Sequence, residues 1–518
     1  MNNKIVEKFE KIVDEKCSEM KIWEFNRDDA LSIVGVNAEI LWNKLKKEKD
    51  IPKKITMANE IFYTTNWLIK QIHLRCLIVN GKNLNDLLIS DYHNLVYETF
   101  ESGGIHAAMF EIFPSFWNGI YDLDLRNTNE KKISFIYKTE NIAKFEAING
   151  IILHKKNLEF QEKHKQIMLS APKGNLEKYY KFIVSEWVDL LFSIKEDYKI
   201  SDYSIKDLKL VLKYLYYETI VKDRENTLKN DPYSIEILLL NENSWKEQVV
   251  GVKKELIIKI LDDLTFTSLD YATQKKSNPF LSPIFTLNNS KVLIPHFIFQ
   301  NSIQRNILTS LIRKYEEANY DSALRIHLIT DPITLFIKHR FIHLEIYEEV
   351  AINGSDIDYI IYDKIKSNAI IFEIKSFSEP ITALEIKNKD KDIRKGIQNQ
   401  LKKHKEYLEN TDNLLSLQSQ ISVPKLSNLH YFLLTQTTIG SGEVDRSEFN
   451  TINVELLIKC LVMSNGDLEV CSKLLNSNDL LPKEQIDYEI ISKKYNIDDE
   501  IEICIEGIKF LDFSNFSL

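Results

Sequence analysis

The chain has 518 residues, 44% hydrophobic and 28% charged, the balance of a globular protein of about three or four domains. A formal net charge of −9 excludes a protein that grips nucleic acid through overall positive charge, so any phosphate binding falls to local patches. With only 14 Gly and 11 Pro, collagen-like and low-complexity architectures are excluded as well. Cys17, Cys76, Cys460, Cys471 and Cys504 are scattered, with no C-x-x-C pair. That pattern argues against a disulfide framework and a structural zinc site, and leads us to expect a reducing, cytoplasmic setting. The charged start MNNKIVEKFEKIVDEKC is not expected to act as a secretory leader, and no apolar run is long enough to cross a bilayer.

In chain order, residues 1–268 read as a mostly helical region with a recognition or regulatory role. Helical spacing of apolar residues runs through Asn175–Tyr198, and Ser204 is placed to cap a helix over DLKLVLKYLYYETI. Another helical signal covers Ser244–Leu264, and Lys131–Lys156 has room for strands. No G-x-x-x-x-G-K-[ST] occurs, so no P-loop nucleotide site is expected. Residues 269–318 form a connecting segment, punctuated by Pro279 and Pro283, with a hairpin around Asn288-Asn289 and a helix from Ser302 to Ala318. Residues 319–445 show the clearest order. A helix reaches Phe341, and strands are expected at Leu344–Ile352, Ser355–Asp363 and Ala369–Phe377, with Asn353-Gly354 as a hairpin turn. A charged helix over Asp390–Glu409 and a strand over Leu429–Thr438 follow. Residues 446–518 read as a helix, VELLIKCLVM, with a short mixed tail.

The polar residues in the second and third of these strands carry the chemistry. Strand side chains alternate between faces. Asp356, Asp358 and Ile360 therefore share one face of the second strand, and Ile371, Glu373 and Lys375 share one face of the third. Pairing the strands brings three carboxylates and an ammonium to one spot. Such a cluster inside apolar strands is costly unless its charge is compensated, and a divalent metal is the obvious compensation. An amphipathic hairpin with a solvent-facing polar side is the plainer alternative.

Helix, three strands, helix, strand, with Asp358 on the second strand and Glu373-Ile374-Lys375 on the third, resembles the PD-(D/E)XK nuclease superfamily. The resemblance covers about a quarter of the chain. It implies an αβββαβ restriction-endonuclease-like core with a mixed central sheet, inside an α+β/α/β multidomain protein. It also implies a metal-dependent nuclease, with Asp358, Glu373 and Lys375 as catalytic residues. Asp358, Glu373 and the Ile374 backbone would hold Mg²⁺ or Mn²⁺, and Asp356 is an auxiliary acid. Gln400-Leu401-Lys402-Lys403-His404 is similar to the Q-x-x-x-Y helix signature of RecB-like members, with His404 where Tyr is usual, which makes Gln400 and His404 auxiliary candidates.

Hydrolysis of an anionic phosphodiester needs an acidified water and neutralisation of developing charge, which Mg²⁺ on one or two carboxylates supplies. Lys375, on the same face, is suited to orient the water or stabilise that charge. Lys395, Lys402 and Lys403 form a candidate nucleic-acid contact on the crossover helix, although interleaved acids fit a solvated helix face equally. DNA is the expected substrate, with RNA as a variant, and a homo-oligomer is expected because cutting two strands commonly pairs two sites. Restriction or anti-phage defence follows by analogy. The alternative is a catalytically silent nuclease fold acting as a binding module or oligomeric scaffold. His339 and His343 lack the Glu of H-E-x-x-H, and Glu345, Glu348 and Glu349 read as edge or surface acids.

Overall fold

Two runs of β-branched and aromatic residues, SDIDYIIYD and AIIFEIK, set the centre of the central sheet. Both are buried almost throughout, as strands covered on both faces must be. A computed structural model of the chain describes residues 2–49, 51–76, 81–82, 89–151, 166, 175–191, 196–229, 235–240, 245, 248–266, 282–287, 290–294, 307–308, 311, 314–315, 325–352, 354–377, 382–477 and 480–511. The molecule is mixed α/β, with helices dominating the N-terminal part.

Within the central unit we label the strands β1 (Leu344–Ile352), β2 (Ser355–Asp363), β3 (Ala369–Lys375), β4 (Leu429–Thr435) and β5 (Asn450–Asn453). Its helices are α1 (Asp331–Arg340), α2 (Ala383–Lys395), α3 (Lys402–Leu408), α4 (Thr411–Gln420), α5 (Val454–Met463) and α6 (Leu468–Asn476). Among the described residues these strands form one sheet in the order β5-β4-β3-β2-β1. The first three make an antiparallel meander, while β4 pairs parallel with β3 and β5 parallel with β4. Gly354 lies in the β1–β2 turn with φ of 78°, a conformation that glycine adopts without a Cβ penalty. Asn353, expected as its turn partner, lies outside the described residues.

Each face of the sheet is closed by helices. Ile370, Phe372, Ile374, Phe432 and Leu434 pack with Ile333 and Ile337 of α1, Leu457 and Leu461 of α5 and Cys471 of α6. On the opposite face Leu433 meets Ile393, Ile397 and Leu401 of the crossover segment, and Ile360 and Ile371 meet Leu408 and Leu417 of α3 and α4. The crossover segment starts earlier than the charge pattern suggested, because Thr382 accepts the Glu385 amide hydrogen at 3.2 Å and caps it. It then continues through a π-helical turn, Gly396–Leu401, into α3.

The segment beyond residue 445 is more than a mixed tail. β5 extends the central sheet, and the hairpin Tyr488–Asn496 and Glu502–Phe510 joins a second sheet with Tyr121–Leu123 and Lys132–Tyr137. There Glu502–Ile505 pairs parallel with Lys132–Phe135 across about 370 residues of chain, the separation of the Glu502–Lys132 pair. Ser204 caps the helix Ile205–Leu228 through a full capping box with Asp207. Within the stretch expected to be helical from Ser244, Trp245 and Gln248 are helical, and past Gly251, with its φ of 95°, a helix runs over Lys254–Asp263. Strands Ile284–Leu287 and Ser290–Leu293 pair antiparallel, while Asn288-Asn289 and most of the expected 302–318 helix lie outside the described residues.

Candidate metal centre

The β2–β3 ladder stops one pair short of the acids. Tyr359 and Phe372 are its last partners, and the next pair in register would be Asp358 with Glu373. At that point Asp358 Oδ2 accepts the Ile374 amide hydrogen at 2.7 Å, so a side-chain carboxylate takes the place of a strand carbonyl. β3 remains held by β4 as far as Lys375–Thr435. The strand ends thus open around the carboxyls while their backbone stays fixed.

Glu373 is 1% exposed and Asp358 7% exposed. Lys375 Nζ donates to Glu373 Oε1 at 2.9 Å and to Gln400 Oε1 at 2.7 Å, which brings the crossover helix into the site. Gln400 arrives from the π-helical turn, a local irregularity that recurs at functional sites. The helix can approach because residue 396 is glycine. A Cβ there would lie 2.4 Å from Leu433 Cδ1 and 3.1 Å from Lys375 Cε.

Burial and the Asp358 charge beside it push Glu373 up to about 7, against the pull of Lys375. Burial also raises Asp358, opposed mainly by the Arg325 guanidinium. Two crowded carboxyls that resist joint ionisation form a site that gains from a bound cation. Glu373 Oε2 is buried without a hydrogen-bond partner, an acceptor open to a cation. Among the described residues no set of three or more His, Cys, Asp or Glu is grouped to hold a metal ion. Two carboxylates, with no third such residue grouped beside them among the described residues, do not make a closed zinc cage.

Asp358, Glu373 and Lys375 therefore meet as their strand spacing suggests, and Gln400, a candidate through the helix-signature resemblance alone, joins them. Ile374 contributes its amide to Asp358, while its side chain packs in the core of the opposite face. Asp356 is exposed and does not join them. The expected alternation breaks at Asp358: Ile357 packs with Ile360 and Tyr362, whereas Tyr359 and Ile361 pack on the other side. Two-residue spacing across that break no longer keeps residues on one face. His404 is buried, with Nε2 3.5 Å from Ser355 Oγ, so it sits against the start of β2 and away from the acids. Burial lowers its pKa and favours neutral imidazole. Lys395, Lys402 and Lys403 are exposed on the crossover segment, while Lys387 and Lys405 are paired with Glu443 and Glu448. His339 is exposed, and His343 Nε2 lies 3.3 Å from the Gly466 carbonyl, so the two make no joint site.

Arg325, which no motif marks, and Glu349, expected as an edge or surface acid, also join the site. Arg325 donates to Asp358 Oδ1 and to Glu349 Oε1, each at 2.5 Å. Glu349 has φ of 51°, a left-handed conformation uncommon for a residue with a side chain. It stands opposite Asp358, where the β1–β2 ladder skips a pair between Glu348–Tyr359 and Val350–Ile357. Non-glycine left-handed residues cluster at functional sites, but no sequence pattern marks this one. No protein-family profile, curated protein or solved structure matches the chain.

Proposed function

We propose that this protein is a metal-dependent nuclease that hydrolyses phosphodiester bonds of DNA. The observation that carries the reading is the meeting of Asp358, Glu373, Lys375 and Gln400 around a buried carboxylate oxygen that has no partner. Asp358 and Glu373 would hold Mg²⁺ or Mn²⁺. When bound, the ion supplies an acidified water and neutralises charge on the phosphate. Lys375 keeps an ammonium beside the reacting phosphate, where it stabilises developing negative charge. Gln400 holds that ammonium by its carbonyl oxygen and limits its rotamers. Ile374 fixes the Asp358 carboxylate through its amide. The exposed ammonium groups of Lys395, Lys402 and Lys403 suit contacts to the phosphate backbone, which give affinity without sequence preference.

The antiparallel meander, crossover helix and parallel fourth strand support placing the central unit with the PD-(D/E)XK nucleases. The helical N-terminal region suits a restriction or anti-phage defence enzyme, in which cutting is tied to recognition, and a homo-oligomer would pair two sites. No described helix is long and apolar enough to cross a membrane. A nuclease fold that binds without cutting is the second reading, and Arg325 seated on Asp358 favours it.

Incubating plasmid DNA with the full-length protein and Mg²⁺ or Mn²⁺ separates the two. Metal-dependent cleavage is expected, with Lys375→Ala slower by about 10²–10³, the usual loss for one charge-stabilising group. Absence of cleavage with either ion, or equal cleavage by Lys375→Ala, contradicts the reading.

A further inference from the structure

The four oxygens of the two buried carboxyls are unequally occupied. Asp358 Oδ2 is held by the Ile374 amide, and Glu373 Oε1 by Lys375. Glu373 Oε2 has no partner, and Asp358 Oδ1 is held by Arg325. A divalent ion shared by the two residues would use the last two oxygens. One is open, and the other is closed by a cation belonging to the chain itself. Arg325 also holds a second acid: its Nη2 donates to Glu349, whose side chain is 53% exposed against 8% for Asp358. The guanidinium thus lies between a buried carboxylate and a solvent-facing one, and the unusual φ of Glu349 stands where the β1–β2 ladder skips a pair.

We infer that Arg325 is a built-in counter-ion for the metal-free site, and that a divalent ion enters by displacing it from Asp358 onto Glu349. The inference rests on reading Asp358 and Glu373 as the divalent-ion pair. Its physical basis is direct. A buried carboxylate without a counter-charge is costly, so Asp358 needs a cation when no metal is bound. A guanidinium and a divalent ion are like charges that compete for one oxygen. Glu349 keeps the displaced guanidinium paired, so the exchange leaves no charge alone. Arg325 is therefore a positioning residue that sets metal affinity, and Glu349 sets where the exchange balances.

Calorimetric titration of full-length protein with Mn²⁺ tests this without any cleavage assay. Arg325→Gln should bind Mn²⁺ about tenfold tighter than wild type, roughly 1.4 kcal/mol. Arg325→Lys, which keeps the charge but loses the two-pronged reach, should fall between them. Glu349→Gln commits Arg325 to Asp358 and should bind several-fold more weakly. Folded Arg325→Gln that binds equally or more weakly overturns the inference. Should that variant fail to fold, unchanged or tighter binding by Glu349→Gln overturns it instead. Wild type that binds Mn²⁺ with the expected ordering of variants supports it. If neither wild type nor the folded Arg325→Gln protein takes up Mn²⁺, the divalent-ion reading itself fails along with the exchange.

Discussion

Glu373 shows most plainly how one buried group is tuned. Its folded-state pKa, near 7, stands above the ordinary value of 4.5. Between those values the folded protein holds more protons than the unfolded chain, so stability falls as pH rises through this window. With metal removed by chelator, Glu373→Gln should therefore be more stable than wild type at pH 8, by on the order of 2 kcal/mol, and nearly equal at pH 5. Urea denaturation at the two pH values checks this, and a difference independent of pH would contradict it. At this scale the sequence is legible where regular alternation holds: counting along two strands brings Asp358, Glu373 and Lys375 to one face. Asp356 was misplaced because the alternation breaks beside Asp358. The pairing of Arg325 with Asp358 and Glu349 leaves no mark in the sequence, because neither an Arg before a helix nor one acid in an acid-rich strand signals a partner. Only the folded chain brings them to Asp358.

Among the elements, the crossover helix makes the site a cluster held from two sides. It reaches the sheet because Gly396 has no side chain between Leu433 and Lys375. Gly396→Ala should cost about 1–3 kcal/mol by overpacking, despite the better helix propensity of Ala. It should also lower the cleavage rate by moving Gln400 away from Lys375. Denaturation and rate measurements on the same variant check both parts, and a stabilised variant with the wild-type rate contradicts them. The helix itself is legible from its charge, but the π-helical turn Gly396–Leu401 is not. That turn adds no distinctive residue; it changes which side chains face the sheet. Strand β5 was missed for a related reason, since four residues reading NTIN carry too little pattern to mark a strand.

Across the whole molecule, the N-terminal region is joined to the central unit close to the site-bearing sheet. Asn149 Oδ1 accepts from Thr438 Oγ1 at 3.0 Å and from the Ile439 amide at 3.1 Å, and its Nδ2 donates to the Gly440 carbonyl at 3.0 Å. Thr438, Ile439 and Gly440 lie three to five residues past the end of β4. The Arg446 guanidinium, 4.1 Å from the centre of the Phe145 ring, and Lys387, which donates to the Gly119 carbonyl at 3.2 Å, add to the same junction. Asn149→Ala leaves buried groups unsatisfied and should cost about 2–4 kcal/mol. A thermal melt near that of wild type contradicts this. Such long-range joins, like the pairing of Glu502–Ile505 with Lys132–Phe135, leave no local trace in a sequence. That is why the helical character of the first half was legible and its connection to the last thirty or so residues was not.

Diffraction from crystals soaked in Mn²⁺, collected to show manganese by its anomalous signal, decides whether Asp358 and Glu373 hold a metal ion. One strong peak is expected within coordinating distance of Asp358 Oδ1 and Glu373 Oε2, with Lys375 beside it and Arg325 moved onto Glu349. A soaked crystal with no peak between those carboxylates, and Arg325 still on Asp358, would contradict that expectation.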